Sequence, residues 1–159
     1  MTEEEIAEGG LAIVEGEWNL RYRYFAGEAA TRFYDEVRNN KRIIGAKCSS
    51  CKRVLLPPRG YCEQCFEPIN EWPELGLEGR VTTFTILTLK LEGFPPPPVL
   101  IAYVQLDGAD TSVANYLDGV DLSDVEEAGR RLAADPPRAR VVFHDLRTGG
   151  IGDFHFEVI

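Results

Sequence analysis

Cys48-Ser49-Ser50-Cys51, ten intervening residues, then Cys62-Glu63-Gln64-Cys65: the reading of this stretch decides the fold. These four are all the cysteines the chain has. Two thiols three residues apart in a tight turn aim both sulfurs at one ion, and a second such turn on an adjacent hairpin completes a tetrahedron. Disulfides fit poorly, because the chain reads as cytoplasmic. A thioredoxin-like redox pair needs a single C-x-x-C in a strand-to-helix setting, which is absent. Iron in a rubredoxin-like tetrathiolate is the serious rival, since spacing does not separate it from zinc. A structural zinc held by Cys48, Cys51, Cys62 and Cys65 is the expected cofactor. With no open coordination position, it folds the local chain and does no chemistry.

Outward from the cysteines, Arg42 to Lys47 leads into the first turn as a short strand and Arg53 to Leu56 leaves it. Pro57-Pro58 stiffens the approach to the second turn. This strand–knuckle–strand pattern is a zinc ribbon, assigned to residues 41–75. Upstream, Gly27 to Asn40 places Ala29/Ala30, Phe33/Tyr34 and Val37 at helical spacing, with Asn39-Asn40 as the stop. Residues 1–26 read as an acidic, then aromatic arm carrying Trp18, Tyr22, Tyr24 and Phe25, which lies either on its own domain or on a partner.

Downstream, residues 76–159 have an all-β texture. Gly79 to Lys90 is rich in Val, Thr, Phe and Ile, and Pro95 to Pro98 must break it. Val99 to Leu106 is a buried strand, Asp107-Gly108 a turn, and Thr111 to Leu117 its hairpin partner. Ser123-Asp124-Val125-Glu126 reads as a capping box opening a helix that Pro136-Pro137 closes. Arg140 to Asp145 and Asp153 to Ile159 complete five strands, and in the last one Phe154, Phe156 and Val158 alternate with His155 and Glu157. Five strands with a helix between the third and fourth suit a small Greek-key barrel of the OB type. The expected fold is mainly β: a zinc ribbon followed by a five-stranded OB-fold barrel, with an N-terminal helix.

Charge narrows the function. The 159 residues carry 17 basic and 26 acidic side chains, a net −9, and apolar residues make up 44%, which excludes wholesale disorder. No apolar run is long enough to span a bilayer, and Met1-Thr2-Glu3-Glu4-Glu5 is acidic where an export signal is basic, so a cytoplasmic location is expected. The average hides a pattern. Residues 38–60 hold seven basic side chains and no acidic one, whereas residues 61–159 hold 7 basic against 17 acidic. The acidic barrel half argues against tracking a nucleic-acid backbone. A small cationic cluster at Lys47, Lys52, Arg53 and Arg59 instead suits a small ligand with few phosphates, unless it only offsets the anionic tetrathiolate.

The whole pattern resembles a family that joins an N-terminal helix, a rubredoxin-like zinc ribbon and a C-terminal OB-fold. The matching residues are Phe33-Tyr34, the two cysteine pairs, Leu56-Pro57-Pro58-Arg59, Glu71-Trp72, Gly79-Arg80-Val81 and Val104-Gln105-Leu106-Asp107-Gly108. Where family members often continue with a basic residue after Asp107-Gly108, this chain has Ala109-Asp110. The resemblance implies a non-catalytic accessory subunit that associates with a thiolase-fold enzyme and helps hold or cover an acyl-CoA thioester. The chain's own residues agree with a non-catalytic part: the cysteines are committed to metal, no nucleophile elbow or phosphate loop appears, and His144 and His155 are the only histidines. The alternative is a nucleic-acid-binding or regulatory ribbon-plus-barrel adaptor, with a small iron redox carrier third.

Overall fold

The computed structural model describes residues 6–7, 11–12 and 23–159. Trp18 and Tyr22 of the aromatic arm lie outside the described residues. Two short strands, β1 (Ile6–Ala7) and β2 (Leu11–Ala12), pair antiparallel ahead of them.

Helix α1 spans Gly27–Asn40, the span read from the periodicity. It buries Phe33 and Val37, one turn apart on the same face. It ends at Asn40, as the asparagines suggest, and Lys41 caps it: Lys41 takes the left-handed conformation (φ 52°), and its N–H bonds the Glu36 carbonyl. On the outer face the Arg32 guanidinium lies 5.1 Å from the Trp72 ring centre, tying the helix to the end of the ribbon.

The ribbon carries little regular structure. Only β3 (Ala46–Lys47) and β4 (Val54–Leu55) pair as strands, antiparallel, so the longer strands expected at 42–47 and 53–56 shrink to two residues each. A third segment lies beside them through Lys47 N–H to Glu71 O (2.9 Å), Gly45 N–H to Pro73 O (2.9 Å) and Leu75 N–H to Ile43 O (2.8 Å). A Cβ at Gly45 would approach Val54 Cγ1 to 2.5 Å, so this crossing requires glycine.

The barrel consists of β5 (Glu78–Leu87), β6 (Val99–Leu106), β7 (Val113–Asp118), β8 (Arg138–Phe143) and β9 (Phe154–Val158), with α2 (Val125–Ala134) between β7 and β8. It closes in the order β5-β6-β7-β9-β8 and back to β5. All neighbours are antiparallel except β7 and β9, which pair in parallel through Leu117↔Phe156 and Asp118↔Glu157. This is the expected five-stranded barrel with its helix after the third strand. Closure leaves no sheet edge, so alternate residues of every strand turn inward. Val81, Val104, Leu106, Val113, Phe154 and Phe156 fill the interior, and the last strand alternates as its sequence suggests.

Local chemistry shifted some boundaries. The cap of α2 is Asp124, whose side chain accepts from Glu127 N–H at 2.9 Å, so the capping box expected at Ser123 and Glu126 does not form. Asp121 Oδ1 takes the Ser123 N–H (2.9 Å), the donor that the Glu126 side chain would bond in a box at Ser123. Strand β5 ends at Leu87, short of Lys90, and Gly79 sits so close to the Gln105 carbonyl on β6 that no side chain fits. Near β9, the buried Asp153 accepts N–H groups from Thr148 (2.8 Å), Gly149 (2.6 Å) and Gly150 (3.2 Å). Burial pushes its carboxyl up, but these amides outweigh it and hold the group below the usual aspartate range.

Ribbon and barrel are stitched at one seam. Asp110 accepts the Val54 N–H on its side chain and returns its own N–H to the Val54 carbonyl, both at 2.8 Å. Thr111 Oγ1 accepts from Leu56 N–H (2.6 Å) and donates to the Leu56 carbonyl (2.8 Å). Asp110, in the Ala109-Asp110 stretch that follows the Asp107-Gly108 turn, is thus a joint between the two units.

Candidate metal centre

Both cysteine turns have the same backbone. Lys52 N–H bonds the Cys48 carbonyl (3.0 Å) and Cys48 N–H bonds the Arg53 carbonyl (2.9 Å). In the second turn, Phe66 N–H bonds the Cys62 carbonyl (2.9 Å) and Cys62 N–H bonds the Glu67 carbonyl (3.0 Å). Each turn is completed by a residue with positive φ, Lys52 at 64° and Phe66 at 55°. Neither is the glycine that this conformation favours, so both carry backbone strain.

The two turns face each other and bring all four sulfurs within 4.8 Å of one another. Cys51 Sγ and Cys62 Sγ are 3.7 Å apart. A tetrahedron with metal–sulfur bonds of about 2.3 Å has edges of about 3.8 Å, so the donor set has the size as well as the chemistry to hold one metal ion. Cys48 and Cys62 are buried, and with Ala46, Leu55 and Ile69 they form a small core of their own, flanked by Cys51, Cys65 and Trp72. The thiols differ. Backbone N–H of Cys51 and of Ser50 outweigh burial and bring Cys48 down to about 7. The neighbouring sulfur of Cys51, with burial, pushes Cys65 up to about 12. Four sulfurs this close ionise together only when a cation shares their charge.

The cations singled out from the sequence are distributed differently from the expected open cluster. Lys47 Nζ lies 3.7 Å from Glu71. Arg53 Nη1 donates to Glu63 Oε1 at 2.8 Å, and Arg59 approaches the other oxygen of the same carboxylate at 3.7 Å. Lys52 is exposed and makes no ion pair among the described residues. Lys47, Arg53 and Arg59 are therefore answered by acids from the second turn and the segment after it. Glu63 is held below the usual glutamate range by its own backbone N–H first and by Arg53 and Arg59 next. Sequence reading missed Glu63 and Glu71 as partners, because only the fold brings them across the ribbon. Large aromatic side chains are exposed in the ribbon, at Tyr61 and Phe66, and just ahead of α1, at Tyr24 and Phe25.

A four-sulfur ribbon joined to a closed five-stranded barrel defines a class of two-unit proteins, and the sequence places the chain within it. Residues 37–71 match the model of the ChsH2 rubredoxin-like zinc ribbon domain, and residues 72–135 match the ChsH2 C-terminal OB-fold domain. The chain belongs to this family. Among solved structures, a protein of unknown function from the DUF35 family of Sulfolobus solfataricus is similar, with 26% identity and a TM-score of 0.59 over 84% of this chain and 87% of that one. A chain of an assembly described as the Ltp2-ChsH2(DUF35) aldolase shares the fold, with 17% identity and a TM-score of 0.59 over 85% of this chain and 98% of that one. No curated protein matches the sequence. Among the described residues, no helix is long and apolar enough to cross a membrane.

Proposed function

We propose that this protein is a non-catalytic accessory subunit of an acyl-CoA-processing enzyme complex, with a thiolase-fold enzyme as its partner. The observation that carries the reading is the pairing of both ChsH2 domains in one chain, with a fold that matches a chain of the Ltp2-ChsH2(DUF35) aldolase along 98% of that chain's length. The site chemistry supports it. The four cysteines are tied to one another and would hold zinc as a structural ion. In that role the ion lends order to the ribbon, and Cys48, Cys51, Cys62 and Cys65 supply its charge balance. The exposed aromatic side chains beside the ribbon are suited to cover by a second protein.

Contact with the phosphates of coenzyme A would fall to Lys52, Arg53, Arg59 and Lys47. Lys52 is available as the protein stands, and a phosphate would have to draw Arg53 and Arg59 away from Glu63. Affinity purification from the native host should recover a thiolase-fold enzyme, and recovery of nucleic acid without one overturns the reading. In the recovered complex, the double substitution Lys52→Ala and Arg53→Ala should weaken CoA binding about tenfold while metal content stays at one ion per chain. Unchanged CoA affinity removes the phosphate contact but leaves the subunit role standing.

A further inference from the structure

The chain's two histidines, read from sequence as separate strand residues, meet in space. His155 lies on β9 and His144 just beyond the end of β8, adjacent strands paired through Val142↔His155 and Phe143↔Phe154. His144 Nε2 and His155 Nδ1 are 2.9 Å apart with hydrogen-bonding geometry. The other nitrogen of His155, Nε2, is 3.5 Å from Asp118 Oδ2 on β7. Asp118, His155 and His144 therefore form a line across three strands. At this place the barrel surface opens into a cavity of about 430 Å³. Both imidazoles line it, opposite Pro96 of the proline connector and the half-buried Val120 and Leu122.

The line of three groups dictates where the protons sit. A carboxylate beside His155 Nε2 favours the proton on that nitrogen. His155 Nδ1 is then an acceptor and takes the N–H of His144 Nε2. With both rings neutral and this tautomer in place, His144 Nδ1 carries a lone pair and no proton, and it has no hydrogen-bond partner among the described residues. The two ring nitrogens point at each other, not at a common third point, so the arrangement is a proton chain and not a pair of metal ligands. A concave, largely apolar wall that also carries an imidazole with an unpaired acceptor is the usual make-up of a small-molecule site.

We propose that this cavity binds a small, mostly apolar molecule bearing one hydroxyl, which donates its hydrogen bond to His144 Nδ1. The site is distinct from the cysteine centre and independent of the accessory-subunit reading. Asp118 and His155 are positioning residues, because they act by fixing the tautomer of His144.

Two measurements on the full-length, metal-loaded chain test it. Long-range proton–nitrogen NMR of the imidazoles, at about pH 8 where free imidazole is neutral, should show His144 protonated at Nε2 and bare at Nδ1. Titration with benzyl alcohol should shift His144 Nδ1 and the methyls of Val120 and Leu122. Benzyl methyl ether, which has the same ring but no donor, should bind roughly three- to tenfold more weakly. His144→Ala should remove this preference, and Asp118→Asn should reduce it by loosening the tautomer. His144 is exposed, so its replacement is not expected to disturb folding. The opposite tautomer, equal binding of alcohol and ether, or no binding of either probe overturns the proposal.

Discussion

The barrel and the ribbon differ in what gives them shape. In the barrel five strands close on themselves around fully buried side chains such as Val81, Val104, Leu106, Phe154 and Phe156. In the ribbon, paired strand amounts to Ala46–Lys47 against Val54–Leu55, and two of the five buried residues at its centre are cysteines. Apolar burial stabilises at roughly 25 cal/mol per Å², so the barrel core, which also takes in Ile43, Ile44, Leu56 and Leu75 of the ribbon, has ample driving force, while the cysteine end of the ribbon has only Ala46, Leu55 and Ile69 buried beside its sulfurs. Order in the barrel comes from area, and at the cysteine turns it would come from a metal held by Cys48, Cys51, Cys62 and Cys65.

The sharpest break of that contrast is metal removal. Chelation, or Cys62→Ser, should take away a binding free energy on the order of 10 kcal/mol and with it the ribbon. Hydrogen exchange is the check: amides from 46 to 69 should lose protection while those of β6 and β9 keep theirs. A ribbon that stays protected without metal would place its stability in packing after all. In the barrel, Phe156→Ala should cost about 3–5 kcal/mol by leaving a cavity in a closed interior. Thermal unfolding should shift down while the bound ion is retained through the native baseline, and early release of metal would show that the two units share one source of order.

Smaller effects refine the picture. Asp153 is held below the usual aspartate range by the amides of Thr148, Gly149 and Gly150, which outweigh its burial. A depressed folded-state pKa contributes stability above the unfolded value of about 4, and this is lost as pH falls through the folded value. Asp153→Asn should therefore lower barrel stability by about 1–2 kcal/mol near neutrality and flatten its acid dependence, as read by denaturant unfolding across pH. An unaltered acid slope would assign it to other carboxylates. Least of all, Phe66→Gly should relieve the positive φ that closes the second cysteine turn. The gain should be under about 1 kcal/mol, because glycine also loosens the unfolded chain. Competition for metal against a chelator measures it, and a weaker hold on the ion would mean that the Phe66 side chain supports the site.

The same contrast runs through what was legible in advance. The ribbon announced itself through spacing: two C-x-x-C pairs state their chemistry wherever they occur. The helix at 27–40 and the Phe154, Phe156 alternation were equally readable, because period and burial are local properties of a segment. The cap of α2 was read one residue early, since Ser123 and Asp124 are both good caps and Asp121 decided between them. The cationic island looked open because its acids, Glu63 and Glu71, follow it in sequence and meet it only across a turn.

By itself, then, the sequence determined the four-cysteine ribbon, the helix, and the number and order of the barrel strands. Each of these is carried by residue type and short-range period. Only the tertiary structure decided that β7 and β9 pair in parallel to close the barrel, that Asp110 joins the barrel to the ribbon, which carboxylate answers which cation, and that His144 and His155 form one hydrogen-bonded pair. Those features depend on register between distant segments. Register is set by the packing of the whole barrel and leaves no mark in the spacing of neighbouring residues.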